Sequence, residues 1–426
     1  MPTRVVRWLI IILAIGGVTA YYGYEYIKER PPRFLIDLVT HQEPFAPLPP
    51  GDIAPLEAPE GFTATIFSRD VPGARVMTRD PKGTLIVSLT AKGKVVALPD
   101  FDADGMADRV VTILAELKQP HGILFDCPDT GFESADQDAC KLYVAETNAV
   151  RAYAYDADTF SASNPKTIAE LPSRGGHYTR TLLMHPYPTQ SGGRRLLVSV
   201  GSSCNVCDEG DARRASVQEI DLSTNKMVVF ASGLRNTVFM ATDPVTGSVW
   251  GTDNGRDLIG DDIPPDEVNI LKEGREYGWP ICYGDNIHDT DFDTSRSLPA
   301  GRQACVDMTP AHIELQAHSA ALGIAFIPEE GWPEEMGNDL LIAYHGSWNR
   351  SEPTGDKVVR FDLDQRSREA IGGPIDFLTG FLPEGGGGAS DATGRPVGIL
   401  TEPGGTVYIS DDHAGAIYRI TRNSLE

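Results

Sequence analysis

Four arginines and two histidines, Arg75, His121, Arg180, Arg235, His318 and Arg395, each open an apolar run that leads through a Gly- or Pro-containing turn into an alternating run. Cationic groups at equivalent places in like segments can be gathered at one point, where they would hold a small polyanion. The chain has formal net charge -23 at pH 7, so such a focus of positive charge would stand against its overall field. His177, in the run GGHYTR, stands three residues before Arg180. Like charge nearby disfavours the imidazolium and keeps a neutral ring available as a general base. A second chemistry is written in Asp100, Asp102, Asp104 and Asp108, which place carboxylates around Gly105 in the manner of a Ca²⁺ loop. Val111 stands where an EF-hand would have its bidentate Glu, so an inter-strand calcium loop is the expectation, with a metal-free acidic turn as the alternative. A second acidic stretch, TDNGRDLIGDDIPPDEVNILKEGREYGWP, is long enough to reach the cationic focus and place a metal beside it, with a solvated acidic loop as the alternative.

The elements that must position these residues are short β-runs recurring at a period of roughly 50 residues, the signature of a propeller whose blades need neighbours on both faces. Six copies predict an all-β, six-bladed β-propeller over residues 56–426. Each opening residue begins the innermost strand of its blade, so all of them are expected at one mouth of the central channel.

Ahead of the propeller, Arg4 and Arg7 precede an uncharged run from Trp8 to Tyr24, near the lower limit of about 17 residues for a membrane span. Residues 1–30 read either as an uncleaved membrane anchor or as a signal peptide ending at Val18-Thr19-Ala20, and a Pro-rich linker fills 31–55. Both readings export the remainder, with the propeller on the periplasmic side of an inner membrane. The 6 cysteines agree with an oxidising compartment, and proximity pairs Cys127 with Cys140, Cys204 with Cys207, and Cys282 with Cys305. Asp208 follows the CNVC run where haem attachment would need His. With 37 Lys+Arg against 60 Asp+Glu and no basic stripe, nucleic acid is not an expected partner. The chain has no dinucleotide-binding glycine fingerprint, Walker loop, nucleophile elbow or H-E-x-x-H.

The runs PHGILF, GGHYTRTLL, GSSCNVC, SGLRN, PDEVNILKEGREYGWP, HSAALGIAF, YHGSWNR, DFLTGFL, GRPVGI and VYISDD together resemble the glucose/sorbosone dehydrogenase family of quinoproteins, and its L-sorbosone dehydrogenase-like branch in particular. The resemblance implies six blades, pyrroloquinoline quinone and Ca²⁺, a sugar, aldehyde or polyol substrate, and a quinone or cytochrome electron acceptor. It implies His177 as catalytic base and Arg235 as the arginine that polarises the quinone, with Asn236 beside it. It further implies the backbone carbonyls of Gly255 and Arg256 as ligands of the cofactor's Ca²⁺, and Arg395 as a partner of a cofactor carboxylate. His345 and Arg350 stand where soluble members of the family use a lysine. Arg75, His121, Arg180 and His318 join the cofactor set through their repeat positions, while Thr237-Val-Phe239-Met240 replaces the small residues usual after the Arg-Asn pair.

Two rival readings have different signatures. A lactonase-type propeller hydrolase would need acidic and amide ligands at the axis, and a non-enzymatic binding propeller would need none of these reactive groups.

Overall fold

The structure, a computed structural model, describes residues 56–127, 140–188, 193–292, 305–383, 385–386 and 391–423. The proposed anchor and linker lie outside the described residues. Among those described, no helix is long and apolar enough to cross a membrane.

Strand β1 (Phe62–Ser68) is reached first but belongs to the last blade. Blade one is β2 (Ala74–Arg79), β3 (Leu85–Leu89), β4 (Lys94–Leu98) and β5 (Val111–Leu114); blade two is β6 (Ile123–Asp126), β7 (Lys141–Glu146), β8 (Ala149–Asp156) and β9 (Ser161–Glu170). Blade three is β10 (Leu182–Met184), β11 (Arg195–Val200), β12 (Ser216–Asp221) and β13 (Lys226–Ser232). Blade four is β14 (Thr237–Thr242), β15 (Val249–Asp253), β16 (Asp266–Leu271) and, after a long excursion, β20 (Ile313–Leu315). That excursion lends β17 (Arg275–Glu276) to the edge of blade three in parallel and folds β18 (Cys282–Tyr283) onto β19 (Ile287–His288). Blade five is β21 (Ala321–Phe326), β22 (Leu340–Tyr344), β23 (Lys357–Phe361) and β24 (Ile375–Leu378). Blade six is β25 (Pro396–Glu402), β26 (Thr406–Asp411) and β27 (Ala416–Arg422), completed by β1 in antiparallel register, with Phe62 opposite Arg422.

The period of two explains how one strand serves two interfaces. In β3, Leu85, Val87 and Leu89 face the core between blades one and six, while Ile86 faces the core between blades one and two. In β7, Leu142 and Val144 face blade one, while Tyr143 and Ala145 face blade three. Each pair of neighbouring blades thus shares its own apolar layer, and no blade could bury both faces alone. Around the axis the inner strands come too close for side chains. A Cβ on Gly323 would stand 2.4 Å from the carbonyl oxygen of Val397, and one on Gly398 would stand 2.2 Å from that of Arg75. These glycines let blades five, six and one meet backbone to backbone.

At the mouth end the inner strands lose regular pairing. Register breaks fall between Ala74 and Met77, Thr237 and Phe239, Ala321 and Ile324, and Pro396 and Ile399. Such bulges twist the strand and re-aim the residues that precede it.

Candidate active site

The re-aimed residues meet. Arg75 donates to Asp412 Oδ2 at 2.5 Å, Asp412 Oδ1 contacts His345 Nε2 at 2.8 Å, and Arg395 Nε donates to the His345 carbonyl at 2.8 Å. His121 is fully buried; burial, followed by the charges of Arg75 and Arg180, holds its pKa well below the usual histidine value. On the other side, Asn349 donates to Asp257 Oδ1 at 3.1 Å and to His318 Nδ1 at 3.3 Å, and Asp257 pairs with Arg235 at 3.0 Å. His318 Nε2 lies 2.9 Å from the carbonyl of Gly260 and 3.1 Å from that of Ile263, so it braces the acidic loop 254–265. It does so from a left-handed backbone (φ 62), uncommon for a residue with a Cβ. All six repeat-opening residues therefore stand at one end of the channel.

His177 is reached from blade three. Its Nδ1 lies 3.1 Å from the Ser202 carbonyl and 2.9 Å from Ser202 Oγ. The single hydroxyl proton of Ser202 is donated to the Cys204 carbonyl at 2.6 Å. Both neighbours of Nδ1 can then only accept, which assigns the ring proton to Nδ1 and leaves the Nε2 lone pair open. Burial lowers the His177 pKa well below its usual value, and the charge of Arg235 lowers it further. The ring is a neutral base with its free nitrogen defined.

Arg235 is held from three sides. Nε donates to the Asn205 carbonyl at 2.9 Å, Nη1 to the Asn254 carbonyl at 3.1 Å, and Nη2 to Asn205 Oδ1 at 2.9 Å and Asp257 Oδ2 at 3.0 Å. A guanidinium has five N–H donors, so one on Nη1 remains. Asn236 follows with its backbone N–H on Asp253 Oδ1 at 3.0 Å, while its buried Oδ1 has no partner. Burial raises Asp253 to about 6 and Glu267 to about 8, the latter pushed further by the Asp253 charge.

Four sequence expectations change in detail. The focus of positive charge is not bare: Asp412 accompanies Arg75 and His345, Asp257 accompanies Arg235, and Asp356 lies 3.8 Å from Arg395. Burial opposes ionisation of Asp412, but contact with His345 and the charge of Arg75 hold its pKa well below the carboxylate range. Buried charges need partners, so Arg75, Arg235 and Arg395 each stand beside a carboxylate. Arg180 is fully buried and donates to the carbonyls of Pro172, His177 and Thr179; it props the His177 segment from beneath. Arg350 reaches the rim, donating to the carbonyls of Asp261 and Ala317. Of the four aspartates in the acidic turn, Asp100, Asp102 and Asp108 bring carboxylate oxygens within 4.8 Å of one another, while Asp104 Oδ1 accepts the Met106 N–H at 2.8 Å and stands outside the group. That turn joins β4 to β5, and Gly105 packs on Arg419 of β27, on the outer side of the blades. Gly255 donates its N–H to Asp266 Oδ1 at 2.9 Å, and Arg256 turns its side chain to a buried ion pair with Asp289 at 2.7 Å. Phe239, from the unusual run after Asn236, sets its ring edge-on to His121 at 5.2 Å.

The donor set fits an anionic ligand rich in acceptors. Buried Arg75 Nε lacks a partner and Arg235 keeps one N–H, both at the same mouth, whereas His121 donates Nδ1–H to Thr181 Oγ1, whose own proton goes to the Val238 carbonyl, and so presents Nε2 there as an acceptor. Polar atoms buried without partners call for a ligand. Residues that sequence reasoning passed over complete the site: Ser202 and Asn205 in GSSCNVC, Asp257 in the acidic loop, Asn349 in YHGSWNR and Asp412 in VYISDD. Each sat inside a run already singled out, but its partner lies tens to hundreds of residues away.

Cysteines pair as proximity predicts: Cys127–Cys140, Cys204–Cys207 and Cys282–Cys305. The chain is 31% identical over 376 residues to an uncharacterised protein of Borreliella burgdorferi, covering 86% of this chain and 90% of that one. It is 24% identical to the pyrroloquinoline quinone-dependent sugar dehydrogenase of Hypocrea jecorina, covering 87% and 90%. The holo pyranose dehydrogenase PQQ domain of Coprinopsis cinerea superposes with a TM-score of 0.68 at 22% identity, covering 87% of this chain and 97% of that domain. Neither the Hypocrea nor the Coprinopsis protein is named as a sorbosone dehydrogenase. Residues 56–423 match the TrAA12-like family model from the first blade's approach to the final strand, and the chain belongs to that family.

Proposed function

We propose that the chain is a pyrroloquinoline quinone-dependent sugar oxidoreductase, acting on an aldose, a sugar-derived aldehyde such as sorbosone, or a polyol. The observation that carries this reading is the open Nε2 of His177 beside Arg235, in a mouth lined by further arginines and unpartnered donors. The names of the Hypocrea and Coprinopsis relatives support it. Arg75, Arg235, Asn236 and Arg395, with His121, His318 and His345 around them, would hold the cofactor, and the carbonyls of Gly255 and Arg256 its Ca²⁺. Arg180 and Arg350 act behind this set. When bound, the cofactor supplies an ortho-quinone that accepts a hydride from the substrate carbon.

His177 Nε2 takes the proton of the substrate hydroxyl. Its low pKa keeps the base unprotonated at neutral pH, and the adjacent Arg235 charge makes the resulting imidazolium acidic, so the proton is passed on readily. The charge of Arg235 and its remaining N–H favour negative charge developing in the mouth. A second Ca²⁺, held by Asp100, Asp102 and Asp108, would clamp the outer turn of blade one. Three disulfides support export, with the chain anchored by residues 1–30 at the periplasmic face or released by cleavage there, and electrons passing to a quinone or cytochrome.

The test is an absorbance titration of the purified, chelator-treated protein with pyrroloquinoline quinone and Ca²⁺, then dye reduction over a panel of aldoses and aldehydes. Saturable binding with sugar-dependent reduction is expected, and His177→Ala should lose about 10²- to 10⁴-fold in kcat. A folded, calcium-loaded protein that binds no cofactor would overturn the reading.

A further inference from the structure

The segment from Ser202 to Cys207 touches both members of the reactive pair, although the mechanism above uses none of its side chains. The Cys204–Cys207 bond closes a turn between residues 3 apart. Within it the Cys204 carbonyl accepts the Ser202 hydroxyl at 2.6 Å, which turns the oxygen's lone pairs to His177 Nδ1 at 2.9 Å. The next residue, Asn205, accepts from Arg235 Nε and Nη2 at 2.9 Å each. Asn205 also accepts the Asp257 N–H at 2.8 Å and donates to the Asp257 carbonyl at 3.0 Å. The backbone carrying His177 lies on the same segment, with Gly176 N–H on the Ser203 carbonyl at 2.9 Å. A Cβ on Gly175 would stand 2.6 Å from Ser203 Cα, so that contact is as close as backbone allows.

The geometry points to the disulfide-closed turn 202–207 as one positioning element that holds the proton acceptor and the guanidinium in register. Ser202 keeps His177 Nε2 bare and aimed, Asn205 fixes Arg235 against Asp257, and the Cys204–Cys207 bond sets the spacing between them. The inference rests on the reading that His177 and Arg235 are the reactive pair. Ser202 and Asn205 are positioning residues, each acting through the side chain it holds. The Cys127–Cys140 bridge, which follows the far end of β6, gives a natural control for disulfide loss as such.

The experiment uses the full chain labelled with ¹⁵N-histidine, its His177 signal assigned by His177→Gln, with cofactor-free spectra recorded across pH and kcat and KM measured after reconstitution. In the parent protein His177 should show one tautomer with the proton on Nδ1. In the double variant Cys204→Ser/Cys207→Ser, which frees the segment that carries both acceptors of Nδ1, the signal should become an average of both tautomers and titrate at higher pH, while Ser202→Ala, which keeps the carbonyl acceptor, should retain the Nδ1 proton and lower kcat. Asn205→Ala should lower kcat by about 10- to 100-fold with KM changed less than about 3-fold, and Asn205→Asp, which keeps the acceptors, should recover part of the loss. Cys127→Ser/Cys140→Ser should leave the His177 signal and kcat as in the parent. A parent His177 with its proton on Nε2, or unchanged kcat in both Ser202→Ala and Asn205→Ala, would overturn the inference, even if the double cysteine variant fails to fold. If the reconstituted parent oxidises no sugar while the tautomer responds as described, the positioning role stands and the proposed function falls.

Discussion

Replacing Gly201 with alanine adds a single methyl group at the point where blade three meets His177 and Asn236. That methyl carbon would lie 2.6 Å from His177 Cβ and 2.6 Å from Asn236 Oδ1, whereas ordinary contact begins at 3.4 Å. One of the two, or the Gly201 backbone between them, must give way by about 0.8 Å, the difference between those distances. Gly201 does not adopt a left-handed backbone, so the substitution strains contacts and not φ. Overpacking of this kind costs about 1–3 kcal/mol of stability, and a misplacement approaching 1 Å at reacting groups costs about 10²-fold in rate. Gly201→Ala should therefore unfold at lower denaturant, while keeping most of its fold, and lose about 30- to 100-fold in kcat for sugar-dependent dye reduction. Gly210→Ala is the matched control, since a Cβ there meets nothing within 4 Å. A Gly201→Ala enzyme with kcat within about 3-fold of the parent would refute the claim that His177 and Asn236 are held to sub-ångström tolerance.

Two further outcomes concern stability. Arg368 pairs with fully buried Asp243 through bonds of 3.1 and 2.9 Å that tie blade five to blade four, so Arg368→Ala should cost about 3–5 kcal/mol in denaturant unfolding by stranding a buried carboxylate; a loss below about 1 kcal/mol would contradict this. Burial and the Arg395 charge lower His345 to about 4, so its contribution is complete above the unfolded value of about 6.5 and falls as pH drops from there to about 4. At about 1.4 kcal/mol per pH unit, the stability of the parent relative to His345→Gln should decline by about 3 kcal/mol across that interval, and a pH-independent difference would exclude a neutral His345 beside Asp412.

The blades were legible because period-two burial and turn residues are local signals: Leu85, Ile86 and Val87 announce a two-faced strand without reference to anything distant. The cationic mouth followed from the same repeat. Its counter-charges did not, because Arg75 finds Asp412 across the ring closure and Arg235 finds Asp257 through a loop whose path no local pattern specifies. Asn205 was hidden for a different reason. A CxxC spacing draws attention to sulfur chemistry, whereas the residue that touches Arg235 is the amide between the cysteines. The loan of β17 from blade four to blade three was equally invisible, since a strand of two residues carries no periodicity.

The pairing of β1 with β27 has a consequence for biosynthesis. The first of the described strands waits for the last of them, so while the chain grows, blades one to five can form in order but the sixth cannot. Until then the ring stays open, and the apolar layers destined for blade six, around Trp332 and Phe377 on one side and Val87 and Leu89 on the other, lie bare. Arg75 also lacks Asp412, and Arg395 arrives only with blade six. A chain stalled before β27 would therefore display sticky faces without assembling the mouth, so that closure of the ring and completion of the mouth become a single event.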